Sequence, residues 1–306
     1  MKTRTVTLRI LPVMFAVAIL FAACQKSDRT AKPTYSAAVQ NQVIAATNEY
    51  YNRDVEESED FDMIMGSGAY DDDVSGERFP SCYTVTYIPD RTTLPNTKII
   101  DWGAGCTDPD RGVFKKGKII IKKFDPAVTG GKISELSYEC YQVDDFKYEG
   151  STCAYIFTNS HGQTVRRAVG AKKLVDCSTG DYNEYIFDHD FTQTAGESTK
   201  KKGDDEFDVC GISLGRQKIG SDISDIYETN VDPHNIVKQI NSCRIGKKVS
   251  GQVDIRVHIK GTGLSLLNEV LDYGDGTCNA KRSLSIEGGP FENIQPPLQY
   301  WPFPED

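Results

Sequence analysis

The sequence predicts a mainly β protein, in which an antiparallel meander forms a curved sheet, a half-barrel or a sandwich after a short N-terminal helix. The clearest evidence is the stretch 252–260, where Val and Ile alternate with polar residues. A period of two is typical of a strand with one buried and one solvated face. Similar segments follow from about residue 80 and are separated by polar or Gly-containing turns, as in successive β-hairpins.

The β domain is expected to span residues 80–289. Within it, strands are predicted near 83–88, 98–101, 118–124, 132–143, 146–158, 164–175, 183–192, 207–214 and 253–259. The pattern of 219–241 is ambiguous and could include a short helix after Pro233. The tail, 290–306, combines prolines with aromatic residues and cannot be a central strand, because proline lacks the N–H that a sheet needs.

A helix and an acidic segment are expected between residues 36 and 79. Ser36 is suited to cap a helix that runs to about Tyr51. The following acidic stretch, 54–73, is interpreted as a loop or linker. Its carboxylates could also bind calcium, but they lack the ligand spacing of a known calcium loop, so the linker is favoured.

The first 23 residues have the layout of an export signal. Three basic residues precede an apolar run of 14 residues, 10–23, which is too short to cross a bilayer comfortably. The run ends in Ala-Ala before Cys24 and so resembles a bacterial lipobox, although Phe21 stands where Leu is usual. The resemblance implies a lipidated Cys24 at the mature N-terminus, followed by a polar tether, 24–35. Several acyl chains would anchor the protein stably to a membrane.

Composition argues against a nucleic-acid partner. Loss of the signal removes three basic residues, so the net charge changes from −9 to about −12. An acidic chain has no basic footprint for phosphates. No Walker loop, dinucleotide fingerprint or H-E-x-x-H pair occurs, and no cofactor is expected.

A repeated element occurs near both ends of the β domain. Each copy reads Asp, aromatic residue, Gly, any residue, Gly, with a cysteine just beyond. The residues are Asp101, Trp102, Gly103, Gly105 and Cys106 in the first copy, and Asp272, Tyr273, Gly274, Gly276 and Cys278 in the second. The glycines allow a turn with positive φ, and the Asp can accept backbone N–H bonds within it.

Disulfides are predicted between these copies and the cysteines upstream of them. We expect Cys82 to pair with Cys106 and Cys243 with Cys278. If Cys24 is lipidated, eight cysteines remain, which allows up to four disulfides in an oxidising compartment. The pairing of the middle four stays open, although a two-residue turn at Asp144-Asp145 disfavours a Cys140–Cys153 bond. The middle four are Cys140, Cys153, Cys177 and Cys210.

The repeated elements also carry a family resemblance. The run from Cys82 through Ile100-Asp101-Trp102-Gly103 to Gly117-Lys118-Ile119, together with Leu271 to Cys278, resembles uncharacterised Bacteroidota lipoproteins with IDFGxGC…GKI and LDYGxGxC elements. The likeness covers most of 80–288. It implies an exported β protein of the outer membrane and no particular activity. The periplasmic leaflet is favoured over the cell surface, because acidic residues do not directly follow Cys24.

No catalytic constellation is recognisable. In the group Asp188-His189-Asp190, the two Asp side chains share one face of a strand while the His points to the other, which argues against a three-ligand metal site. We therefore expect a non-catalytic binding module whose ligand is a glycan, a lipid or an envelope protein. The alternatives are a purely structural envelope protein and a hydrolase with an unrecognised site.

Overall fold

The computed structural model describes residues 35–65, 82–107, 112–196, 204–231, 237–240, 243, 248–261, 265–278, 282–289 and 292–294. The predicted export signal, Cys24, nearly all of the tether, the acidic residues after 65 and the tail beyond 294 lie outside these residues. In the part of the chain that is described, no helix is both long enough and apolar enough to cross a membrane.

The predicted fold class is confirmed, since the described part of the chain forms fifteen antiparallel strands in one sheet. Strands that are adjacent in sequence are mostly adjacent in space, as in a meander. Among the described strands the sheet is open, with β1 at one end and β15 at the other. The strands are β1 (Thr84–Ile88), β2 (Asn96–Asp101), β3 (Cys106–Thr107), β4 (Phe114–Lys123), β5 (Lys132–Val143), β6 (Phe146–Thr158), β7 (Thr164–Asp176), β8 (Tyr182–Ala195), β9 (Glu206–Ile219), β10 (Asp222–Val231), β11 (Val237–Ile240), β12 (Lys248–His258), β13 (Leu266–Asp275), β14 (Arg282–Ile286) and β15 (Glu292–Ile294).

The ambiguous segment after residue 219 is strand rather than helix where it is described. Strands β10 and β11 both pair with β9 and with β12, so they lie end to end in the same position of the sheet. Residues 232–236, where the predicted helix would begin, lie outside the described residues. Strand β15 belongs to the tail and has β14 as its single partner among the described strands, which agrees with the expectation that the tail forms no central strand.

One long helix, α1 (Ala37–Met65), packs on the sheet, and Ser36 caps its first turn with a 3.4 Å bond from the Val39 N–H. A second, one-turn helix, α2 (Pro126–Thr129), joins β4 to β5. The side of the sheet that faces α1 is called the inner face here, and the opposite side the outer face. The prediction that the helix ends near Tyr51 is wrong, because the helix continues to Met65. The part of the expected acidic linker up to Met65 is therefore helical.

The buried side chains of α1 recur every three or four residues, so a single stripe faces the sheet. They are Val39, Val43, Ala46, Thr47, Tyr50, Arg53, Glu57, Asp60, Phe61 and Ile64. The acidic residues of the C-terminal half continue the helix because two of them belong to this stripe and meet basic side chains, Lys172 and His189, on the inner face.

The sheet curls around α1. Thr47 bonds to Glu269 on β13, and Asp60 contacts Tyr138 on β5. The helix advances about 20 Å between these residues at ~1.5 Å per residue. The strand path from β13 to β5 takes seven steps, about 34 Å at ~4.8 Å per step. The distance across the strands is longer than the distance along the helix between the same contacts. Both contacts can form only if the inner face of the sheet is concave.

Two apolar clusters fill the space between helix and sheet. The larger contains Val39, Val43 and Phe61 of α1 with residues of β7 to β14. The smaller contains Ile64 with residues of β2 and β4 to β6, together with Trp102. The helix therefore joins both halves of the sheet into one core.

Candidate functional site

Both copies of the repeated element form the predicted turn. Asp101 accepts a 2.7 Å bond from the Gly103 N–H, and Asp272 accepts a 2.7 Å bond from the Gly274 N–H. The four glycines of the two copies, Gly103, Gly105, Gly274 and Gly276, all have positive φ. The aromatic residues are buried, Trp102 in the smaller cluster and Tyr273 in the larger. The element is therefore a structural turn that also supplies core side chains.

The two predicted disulfides are present. The Cα atoms of Cys82 and Cys106 lie 6.0 Å apart, and those of Cys243 and Cys278 lie 5.4 Å apart. The other four described cysteines are free thiols. Two disulfides therefore form among the described cysteines, where the sequence allowed up to four. The strand register explains why Cys140 and Cys153 do not pair. Cys153 lies opposite Glu135, whereas Cys140 lies further along β5, in a bulge between Ser137 and Gln142.

The alternation predicted for Asp188-His189-Asp190 is confirmed. On the outer face, Asp188 and Asp190 lie beside Arg167, which donates from Nε to Asp188 at 2.7 Å. His189 points to the inner face and is fully buried. Its Nδ1 bonds to Glu57 of α1 at 2.6 Å. The three side chains therefore cannot share one metal ion.

The Glu57–His189 pair is the centre of a buried polar network between α1 and the sheet. Tyr185 donates its hydroxyl to the second carboxylate oxygen of Glu57 at 2.7 Å. Burial raises the pKa of Glu57, but the charges of His189 and Lys248, with the bonds from His189 and Tyr185, outweigh it and hold this pKa at about 2. Glu57 is thus a buried carboxylate stabilised by its partners.

A second ion pair lies one turn further along α1. Lys172 on β7 contacts Asp60 at 2.6 Å, and both side chains are nearly inaccessible. Tyr138 and Thr152 approach the same carboxylate at 3.4 Å. Burial and the charge of Asp60 raise the pKa of Tyr138 well above its usual value. The phenol therefore stays protonated and able to donate to Asp60.

A third buried acid, Glu269 on β13, behaves differently because none of the described residues places a cation beside it. Burial raises the pKa of Glu269 to about 8, although its bond with Thr47 lowers it in part. Thr47 lies 2.9 Å from the Val43 carbonyl and 2.8 Å from Glu269. A hydroxyl has one hydrogen, so when Thr47 donates it to Val43 the proton of the second bond must come from Glu269. The geometry thus favours the neutral acid.

This network offers no access to a substrate. The side chains of Glu57, Asp60, Lys172 and His189 are each at most 4% exposed. Among the described residues, no group of three or more His, Cys, Asp or Glu is placed to hold a metal ion. The inner-face groups therefore fasten α1 to the sheet, and a site for a ligand must be sought elsewhere.

The outer face carries a groove of about 1260 Å³ that crosses β7 to β13. Apolar side chains that point away from α1 form its floor. They are Val169, Ile186, Ile212, Leu214 and Val270. Ile212 is 58% exposed although it lies in the middle of a long strand. An apolar floor that is open to solvent is unusual on a wet sheet face and is typical of a binding surface.

Acidic residues surround this floor. Asp188 pairs with Arg167, Asp225 with Arg216 at 2.9 Å, and Glu228 with Arg256 at 3.4 Å and with His258 at 3.2 Å. The remaining lining carboxylates of the outer face, Asp254 and Glu287, have no cationic partner among the described residues. The groove is thus apolar at its floor and negative at its walls.

Our prediction from sequence missed this groove, although β9 carries a signal for it. Apolar residues alternate on the inner face up to Val209 and then on the outer face from Ile212 to Leu214. The phase changes at Gly211, whose backbone approaches His189 so closely that a Cβ would lie 2.6 Å from that ring. The chain matches no known protein family, no curated protein and no solved structure.

Proposed function

We propose that this protein is a non-catalytic binding module of the bacterial envelope, held on a membrane by acyl chains on Cys24. The export signal and the lipobox-like Ala-Ala-Cys support the anchor. The two disulfides fit an oxidising compartment, as expected for an exported protein. The resemblance to Bacteroidota lipoproteins favours the outer membrane, and Lys26 rather than an acidic residue after Cys24 favours its periplasmic leaflet.

The observation that carries the binding function is the outer-face groove. A carbohydrate platform would present exposed aromatic rings, but among the described residues the groove is lined by one aromatic side chain, Phe187, which points to the inner face. The exposed floor of Val, Ile and Leu instead suits an apolar surface of a ligand. The buried ion pairs of the inner face have no such opening, which is why the groove is preferred.

The anchor is tested by fractionation of cells that express the full-length chain or its Cys24→Ser variant. We expect the unaltered protein in the membrane fraction and the variant in the soluble envelope fraction. Protease treatment of intact cells then tests the leaflet, because a periplasmic protein is protected. A variant that remained in the membrane fraction and was processed normally would contradict the anchor.

The groove is tested with the neutral apolar dye N-phenylnaphthylamine and the soluble Cys24→Ser protein. We expect dye fluorescence to rise when this protein is present. The rise should be much smaller for a protein that also carries the Ile212→Glu substitution. The matched control is Ile219→Glu, since Ile219 is 61% exposed on the same strand but does not line the groove. Equal dye binding by both variants, or none by the parent, would contradict a binding role for the groove.

A further inference from the structure

We propose that the occupant of the groove is an extended, positively charged peptide segment with apolar side chains, supplied by a protein partner. This inference rests on the proposed function, because it names the partner of that same groove. Three properties of the groove support it, namely its length, its charge and the arrangement of its side chains.

The length of the groove suits a short stretch of polypeptide. It crosses six neighbouring strands, β7, β8, β9, β10, β12 and β13, which span about 24 Å at ~4.8 Å per step. An extended peptide advances ~3.3 Å per residue, so about seven residues would fill it. A single small molecule would occupy only part of this length.

The charge of the groove selects a cation. Three of the wall carboxylates are compensated by arginine, whereas Asp254 and Glu287 have no cationic partner among the residues that the structure describes. The chain as a whole is also acidic. Complementary charge favours a basic partner, and like charge disfavours anionic lipids and nucleic acids.

The side chains are placed to recognise apolar and cationic groups together. The strand register aligns Asp188, Ile212, Asn230, Asp254 and Val270 in one row across the groove. Ile212 and Asp254 are two strand steps apart, about 10 Å. In an extended peptide of the polyproline II type, residues three apart are ~9 Å apart and lie on the same side of the chain. An apolar residue on Ile212 and a Lys or Arg beside Asp254 therefore fit one peptide.

A neutral acyl chain fits less well. It would cover the floor but leave Asp254 without a partner and partly desolvated, which is unfavourable for a charged group. A cationic side chain in the same place would instead form an ion pair. The exposed position of Asp254 implies a modest gain and a strong dependence on salt.

The test uses fluorescent nine-residue peptides that alternate Lys with Leu or Glu with Leu, and the full chain carrying Cys24→Ser. We expect the Lys-Leu peptide to bind, to lose affinity as salt rises, and to displace the dye. The Asp254→Asn variant should bind it about five-fold more weakly. The control is Asp145→Asn, because Asp145 is an exposed acid in the β5–β6 turn, outside the groove.

The outcomes separate the two proposals. Equal binding of the Glu-Leu peptide, or no effect of Asp254→Asn relative to Asp145→Asn, would refute the cationic peptide. If dye and phosphatidylethanolamine vesicles bind at the groove but the Lys-Leu peptide does not, the occupant is a lipid and only the further inference fails. If the Ile212→Glu variant binds dye as the parent does, the proposed function fails as well.

Discussion

The two faces of the sheet use the same side-chain chemistry to different ends. Asp188 and His189 are neighbours on β8, and each is half of an acid–base pair. Asp188 meets Arg167 on the outer face, where Arg167 is 45% exposed, whereas His189 meets Glu57 in an inaccessible interface. Solvent screens the outer pair, so it contributes little to stability. Loss of His189 from the inner pair would leave the buried charge of Glu57 without this partner.

The largest effect is expected for removal of one inner charge. Lys172→Met removes the cation that lies beside the buried carboxylate of Asp60, so the free energy of unfolding should fall by about 3–5 kcal/mol. Arg167→Met on the outer face of the same strand is the control and should cost less than about 1 kcal/mol. Urea denaturation at neutral pH measures both. Similar losses would show that the two faces do not differ as described.

Glu269→Gln is expected to stabilise the protein in a pH-dependent way. The folded-state pKa of Glu269 is about 8, above the ordinary value of 4.5, so the acid's contribution to stability is lost as pH rises between these values. Glutamine cannot ionise and can donate to Thr47. The stability difference should therefore grow across this window to a size on the order of 4 kcal/mol. Denaturation curves at pH 5, 7 and 9 measure it, and a constant difference would contradict it.

Glu57→Gln should show the opposite pH dependence. The pKa of Glu57 is about 2 in the folded protein, so its stabilising contribution exists above about pH 4.5 and is lost as pH falls towards 2. The variant should be less stable than the parent at neutral pH, by on the order of 3 kcal/mol, and nearly equal to it at pH 2. Acid titration followed by circular dichroism tests this, and equal acid midpoints would argue against it.

The smallest effect on stability is expected at the floor of the groove. Ile212→Asn exchanges an exposed apolar side chain for a polar one, so unfolding should change by less than about 0.5 kcal/mol. Dye binding should nevertheless fall. Ile255→Asn on β12 is the contrast, because Ile255 is buried on the inner face and its replacement should cost several-fold more. A large loss of unfolding free energy in the Ile212→Asn variant would indicate that Ile212 is a core residue and would contradict this prediction.

Local rules predicted much of this fold. Alternation identified the strand through Val253 and Val257, and the turn chemistry of Asp101 and Asp272 led to both disulfides. The end of α1 escaped prediction because acidic side chains usually face water. Glu57 and Asp60 are buried only because His189 and Lys172 meet them, and those partners lie more than a hundred residues away.

The groove escaped prediction for a related reason. Its floor combines outward residues of separate strands, so each looks like an isolated exposed apolar residue. Only the register brings Ile186 beside Leu214 on neighbouring strands. The change of phase at Gly211 was visible in the sequence. That this change contributes to a continuous apolar surface over several strands can be recognised only from the order of strands in the sheet.

The position of α1 has a consequence for the order of folding. Thr47 is 222 residues from Glu269, and Tyr50 is 223 residues from Tyr273, whose hydroxyl it meets. Contacts of such sequence separation give a high contact order, which slows folding. Because synthesis proceeds from the N-terminus, the apolar stripe of α1 has no complete partner until β13 has emerged. The helix made first is thus covered last, so a nascent chain of this protein exposes an apolar surface that favours aggregation or the binding of chaperones.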